Sequence, residues 1–325
     1  MIDLNVFKRF LLCYFVLFFS ISYGVSIAQD FPQRPIRIIL PFAPGGTADI
    51  VGRPLAVKMG ELLTQNMLID NRGGAGGVLA ASMLVKSPPD GYTLLLASSG
   101  AITVIPSYSK VPYDPIQDFA PIGQVVSGQL LLLVHPMVPA KSVNDLVKIA
   151  NSKPKQLTYG SAGGVGQLAG ELFNSLARVN MVHVAYRGGG PMTVDLLSGH
   201  IDLAFPGLSG FVPYVKSGRL RGIAVTGTRR STALPDLPTI VSAGLKGYEA
   251  TTFWGLLAPA KTPNIILKRI NQSMVDALKQ DELIQYYVSQ GNEPVLSSPE
   301  AFSLVIKNEL EKWRKLVLFA GIKVE

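Results

Sequence analysis

The sequence predicts an α/β protein of two lobes with a central cleft, and three observations carry that prediction. Short apolar runs alternate with helical patterns along most of the chain. Two proline- and glycine-marked stretches, residues 112–126 and 234–263, separate an inner block from an outer one. In each block an apolar strand enters a small-residue loop and then a helix: "IRIILPFAPGGTADI" in the outer block, "LTYGSAGGVGQLAGELF" in the inner. If the C-terminal residues rejoin the first block, the chain crosses twice between lobes, which makes a hinge with a cleft beside it. The expected organisation is a leader over residues 1–28, one lobe from 29–126 plus 251–325, and a second from 127–250.

The 325 residues, 48% of them hydrophobic, are enough for two buried cores, and a charged fraction of 16% argues against disorder. Lys8-Arg9, then "FLLCYFVLFF", then the small-polar "SISYGVSIAQ" have the three parts of a secretory signal, with cleavage expected after Ala28. The alternative is an uncleaved anchor, since Phe10 to Ile27 nearly spans a bilayer. The single cysteine, Cys13, lies in that leader, so disulfides, zinc-thiolate sites and cysteine nucleophiles are excluded from the rest of the chain. Removal of the leader takes away Lys8, Arg9 and Asp3 and lowers the formal charge from +8 to +7. A basic exported protein favours small anions through its long-range field. Its Lys and Arg are scattered, with Arg229-Arg230 the longest run past the leader, so nucleic acid is not an expected partner.

Strands are expected at 36–40, 66–69, 93–97, 130–134, 157–159, 182–185, 203–205 and 222–226. Residues 112–126 read as a loop leading into a strand, and 234–263 as a long return. Ser142 caps "VNDLVKIA" with Asp145 at the third helical position; Pro191 opens "PMTVDLLSG" and Gly199 closes it. Thr262-Pro263 starts a helix with Ile266, Ile270, Met274 and Leu278 on one face. Ser298-Pro299-Glu300 starts another that carries Phe302, Ile306, Leu310, Trp313 and Val317. Pro54 interrupts the helix expected after "PGGTAD", which predicts a kink near Arg53–Pro54 or a short first helix.

A strand, a tight glycine turn and a helix N-terminus expose backbone N–H groups and attract an anion. Thr47 and Asp49 stand at such a start, and one loop of this kind per lobe would grip a ligand from both sides. "PGGTAD" lacks the lysine of a Walker loop. Neither "TYGSAGG" nor "GLSGF" has the spacing of a nucleophile elbow, and neither glycine loop has that of a dinucleotide site. His135, His183 and His200 are far apart in sequence and form no metal-ligand pair, so neither a metal nor a cofactor is expected. "DNRGGAGG" reads either as a third loop near the cleft or as a plain connector. Asp202 either points at a ligand amine or ends a strand, and Arg187 has the fork geometry that suits a carboxylate.

In order along the chain, "RPIRIILPFAPGGTADIVGRPLA", "DNRGGAGG", "PDGYTLLLAS", "PYDPIQDFAPIG", "GSAGG", "LAGELF", "VAYRGGGP", "DLLSGHIDLAF", "RLRGIAVTGTRR" and "EKWRKLV" resemble the extracytoplasmic solute receptors of the tripartite tricarboxylate transporter type, the Bug family. The resemblance runs from Phe31 to the end. It implies a periplasmic binding protein-like fold of type II that closes on a small carboxylate, held largely by backbone N–H groups and bridging water. Carried onto this sequence, the ligand residues would be Phe42, Gly45, Gly46, Thr47 and Asp49 in one lobe and Ser161, Ala162, Gly163 and Gly164 in the other. Ser98, Arg187 and Asp202 are added on the reading of the residues themselves. The family usually has a longer second loop with a hydroxyl and a histidine. Here "GVGQ" is about two residues short, and Gln167 stands where the hydroxyl is expected.

The expected protein is therefore a monomeric periplasmic receptor that captures a small organic anion for integral membrane permease subunits and performs no chemistry. Two other readings remain open: a ligand-sensing module for a membrane sensor kinase, and a periplasmic hydrolase using Asp49 or Asp202.

Overall fold

The architecture is that of a computed structural model, which describes residues 31–162 and 164–319. The expected leader, with its cleavage or anchor alternatives, and Gly163 lie outside the described residues. The chain runs β1 (Ile36–Leu40), α1 (Thr47–Leu63), β2 (Met67–Asn71), α2 (Val78–Val85), β3 (Thr93–Ser98), β4 (Phe119–Gln129), β5 (Leu131–Val134), α3 (Val143–Ser152), β6 (Thr158–Ser161) and α4 (Gly164–Ala177). It continues with β7 (Val182–Ala185), α5 (Gly189–Ser198), β8 (Leu203–Ala204), α6 (Val212–Lys216), β9 (Arg221–Val225), β10 (Thr251–Pro259), α7 (Asn264–Leu278), α8 (Asp281–Ser289), β11 (Asn292–Pro294) and α9 (Pro299–Phe319).

Two sheets result, both within the unit that begins at Arg34. The first has the order β11-β4-β10-β3-β1-β2 and the second β7-β6-β8-β5-β9. In the first, β1 pairs parallel with β2 and β3, while β10 runs antiparallel between β3 and β4. In the second, β6 pairs parallel with β7 and β8, and β5 antiparallel with β8 and β9. The chain leaves the first sheet at Gln129, enters the second at Leu131, and returns after Val225 to β10.

The loop expected at 112–126 to lead into a strand does so already at Phe119, where β4 begins, and the "return" at 234–263 contains a long strand, β10. Both are central, and β10 is buried from Phe253 to Pro259, so neither shows the alternation of a half-exposed strand. Pro121 and Pro259 disguised them further.

Pro54 does not shorten α1, which continues through it for 17 residues. An interior proline costs about 3 kcal/mol. Against it, Val51, Leu55 and Met59 are fully buried, each contributing roughly 1.5–3 kcal/mol. Tertiary packing outweighs the single lost backbone bond.

The caps appear as expected: Ser142 accepts from the Asp145 N–H at 3.1 Å, and Gly199 closes α5 at φ 74°. The apolar stripes of α7 and α9 are buried. Helix α9 joins the two cores: Phe302 and Ile306 pack with Ile39, Leu95 and Phe253, whereas Trp313 and Val317 pack with Leu132, Phe173 and Tyr248. Residues 313–317, expected with the first lobe, thus enter the second core.

Candidate functional site

The sheets aim their helices at one cleft. Helices α1, α4 and α5 begin just beyond the C-terminal ends of β1, β6 and β7, the end at which open α/β sheets bind ligands. Their first residues, Thr47, Gly164 and Gly189, all line a cavity of about 280 Å³. The first turn of each helix holds N–H groups without an intrahelical acceptor. In α1 the intrahelical ladder starts with Asp49 and Ile50 donating to the Gly46 carbonyl, which leaves the Thr47 and Ala48 N–H groups ahead of it. Gly46 and Gly188, the caps of α1 and α5, have no side chain to occupy those donors.

The two sides of the cleft touch. A Cβ built on Gly46 would lie 3.9 Å from the Gly189 nitrogen, and one on Gly188 3.2 Å from the Ala43 nitrogen. The Thr47 hydroxyl donates to the Ser209 carbonyl at 3.3 Å. Apolar surface completes the walls, from Leu130, Met192, Leu197, Phe211, Tyr214 and Trp254. No described lining residue carries a charge, so the site can solvate an anion only through oriented dipoles and hydroxyls.

Of the residues expected to bind ligand, Phe42, Gly45, Gly46, Thr47, Ser98, Ala162 and Gly164 line this cavity together. Gly163 lies outside the described residues. Asp49, Ser161, Arg187 and Asp202 are not in the lining, each for a visible reason.

Asp49 turns back on its own loop. It accepts the Gly45 N–H at 2.9 Å and pairs with Arg53 at 2.7 Å. Asn71 joins the group by donating to the Phe42 carbonyl. Gly45 has φ 90°, a left-handed turn that the Asp49 carboxylate holds in place. Asp49 therefore shapes the loop, and its charge is neutralised by Arg53.

Ser161 lies behind the cleft, with its hydroxyl 2.7 Å from His183 Nε2. Burial holds the His183 pKa below the usual imidazole value, partly opposed by Glu171. The pair ties the end of β6 to β7. Asp202 sits at the opposite end of its strand from the cleft-lining Phe205, about 10 Å away at strand rise. Its carboxylate accepts from the Thr158 N–H at 2.7 Å and hydroxyl at 2.9 Å. Arg187 is exposed, and its carbonyl, not its guanidinium, faces the Gly73 backbone. Gln167, at the shortened second loop, also lies outside the lining and accepts from the Tyr108 hydroxyl at 3.2 Å.

Two contributors were missed in the sequence. The α5 start, Gly189-Gly190, was overlooked beside Arg187, although "VAYRGGGPM" has the same strand, glycine, helix order as the other two loops. The loop after β8, "FPGLSGF", has no catalytic spacing in sequence, yet Phe205, Pro206, Gly207, Ser209, Gly210 and Phe211 line the cleft. Tyr186, just ahead of α5, donates its hydroxyl to Asp195 in the helix's second half at 2.7 Å and so clamps the segment before the helix to it. Burial, then that bond, pushes the Tyr186 pKa up to about 12, so the clamp stays protonated.

Two α/β lobes around a cleft lined by helix N-termini define a two-lobed binding protein of the periplasmic kind. The chain matches the tripartite tricarboxylate transporter family receptor over residues 51–322, and it belongs to that family. It is similar to BugT of Bordetella pertussis, 32% identical over 307 residues that cover 92% of this chain and 93% of that one. Among solved structures it is similar to R. palustris Rpa4515 with adipate, at 34% identity and TM-score 0.88, covering 90% of this chain and 99% of that one. It is also similar to the periplasmic binding protein BugD, at 30% identity and TM-score 0.87, with 90% and 99% covered.

Proposed function

We propose that this protein is a periplasmic receptor that closes its two lobes over a small organic carboxylate and delivers it to integral membrane permease subunits of a tripartite transporter. The observation that carries this reading is the convergence of three helix N-termini on a cleft with no charged side chain among its described lining residues. Such a site favours an anion by fixed N–H dipoles, and each donor is already oriented. The relative solved with adipate supports a carboxylate as the ligand class. We read the lobes as falling close to residues 29–126 with 251–325 and 127–250, with β4 staying paired in the first sheet as far as Gln129 and α9 packing into the second core.

Ligand transfer needs only that the closed state bind better than the open one. No reaction is assigned. Asp49 and Asp202, the acids a hydrolase would need, are committed to Gly45, Arg53 and Thr158 and lie off the lining. The test is thermal unfolding of the exported protein against a panel of carboxylates, with each acid recovered and analysed afterwards. A ligand at one hundred times its Kd stabilises by about 2.7 kcal/mol. A shift with the acid returned unchanged is the expected result. Consumption of an acid would make the protein an enzyme, and no shift with any acid would remove the carboxylate assignment.

A further inference from the structure

Between Phe205 and Phe211, a loop whose residues line the cleft, the one polar side chain is that of Ser209, itself a lining residue. The residue is 2% exposed, and its Oγ has no hydrogen-bond partner among the described residues. Its carbonyl, by contrast, is taken by the Thr47 hydroxyl across the cleft. A buried hydroxyl left unpaired is destabilising, and folds tolerate one chiefly where a ligand or water completes it. Gly207 and Gly210 on either side pack against Thr47 and Ile50, so the loop that carries Ser209 is fixed against the opposite lobe.

The rest of the lining limits what can meet that hydroxyl. The backbone groups the helix ends offer, at Thr47 and at Gly189-Gly190, are donors. The one acidic side chain at the mouth loop, Asp49, is neutralised by Arg53. The surface between is hydrocarbon, from Met192, Leu197, Phe211 and Tyr214.

We propose that Ser209 determines ligand specificity: its hydroxyl donates to a second oxygen function on a carboxylic acid whose hydrocarbon body lies along the apolar wall. This rests on the reading of the cleft as a carboxylate site. The preferred class is then a dicarboxylate or oxo-acid. A plain monocarboxylate leaves Ser209 unpaired, and an amino acid brings an ammonium group to a lining that holds no anionic side chain among its described residues.

The test is isothermal titration calorimetry on the exported protein and its Ser209→Ala and Ser209→Thr variants. The probes are succinate, glutarate, adipate and pimelate, each paired with the monocarboxylate of equal carbon number, together with 2-oxoglutarate and glutamate. The wild type is expected to bind one diacid or oxo-acid at least tenfold more tightly than its monocarboxylate or amino counterpart. Ser209→Ala should weaken that acid about tenfold while leaving the monocarboxylate within about threefold, and Ser209→Thr should retain most of the preference. The melting temperature of ligand-free Ser209→Ala should not fall, since the removed hydroxyl has no protein partner. Equal losses for both acids of a pair, or no loss for either, would overturn the assignment of Ser209 and leave the receptor reading standing. Binding of no acid by the wild type would overturn both.

Discussion

Replacing Gly46 by aspartate separates the fold from the anion site. Gly46 caps α1 with φ −106° and ψ −171°, an extended conformation open to any residue. A Cβ built there meets only Gly189 backbone atoms, at 3.9 Å, an ordinary contact. Aspartate is also a good helix cap, better than glycine by a few tenths of a kcal/mol, so the ligand-free protein should melt within a few degrees of wild type. Binding should respond very differently. A carboxylate introduced about 4 Å from a bound carboxylate costs about 4 kcal/mol at an effective dielectric of 20, which is roughly a thousandfold in Kd. Gly46→Asn has the same shape without the charge and should lose far less. Calorimetric titration of both variants at fixed salt, with an acid that shifts the melting curve of the wild type, measures the difference. If Gly46→Asp binds that acid within about threefold of Gly46→Asn, no anion sits at the start of α1 and the dipole argument fails.

Three further outcomes are expected. A Cβ at Gly170 would lie 2.2 Å from the ring of fully buried Tyr159, so Gly170→Ala should destabilise by about 1–3 kcal/mol, read as a lower urea midpoint. Burial lowers the His183 pKa below 6.5, so the unfolded chain takes up that proton first. The resulting stability is full above about pH 6.5 and is lost as the pH falls; His183→Gln should flatten that part of a stability profile. Of the two tryptophans, Trp254 lines the cleft and Trp313 lies in a core. Ligand should therefore change fluorescence in Trp313→Phe but not in Trp254→Phe; a change retained in Trp254→Phe would place the ligand elsewhere.

The parts of the fold legible in the sequence were those with a local cause. Ser142 and Gly199 mark helix ends through their own side chain and backbone, and the stripe from Phe302 to Val317 repeats at helical spacing. Strands β4 and β10 have no such cause. "FWGLLAP", residues 253–259, carries no polar side chain except the indole N–H because neighbours in the sheet bury it, and apolar runs of that length carry no period. The same limit applies at the site. The glycine loops at 45–47 and 164 were readable because a helix start exposes donors whatever the side chains are. The direction in which a carboxylate points was not. Asp49 looks like a ligand group in sequence, yet its position in the first turn lets it reach back to Gly45 and across to Arg53. Asp202 precedes the cleft by three residues, but along a strand that distance leads to the other end of the sheet.

The glycines at 46 and 188–190 do more than admit a ligand. They also mark where the starts of α1 and α5 come close: a Cβ on Gly46 would lie 3.9 Å from Gly189 backbone atoms, and one on Gly188 only 3.0 Å from the Ala43 side chain. Each helix start carries about half a positive charge, so bringing two together is electrostatically unfavourable unless something negative lies between them. At a separation of about 5 Å and an effective dielectric of 20, the repulsion is on the order of 1 kcal/mol, and a full negative charge between the two ends reverses its sign. On the proposed reading, the groups that bind the anion are therefore also the groups that meet when the lobes close. An anion at their junction stabilises the closed state over the open one directly, with no separate switch element required. An uncharged solute in the same cavity would fill the apolar wall and still leave the two helix ends opposed, which is a physical reason for closure to select charge as well as shape.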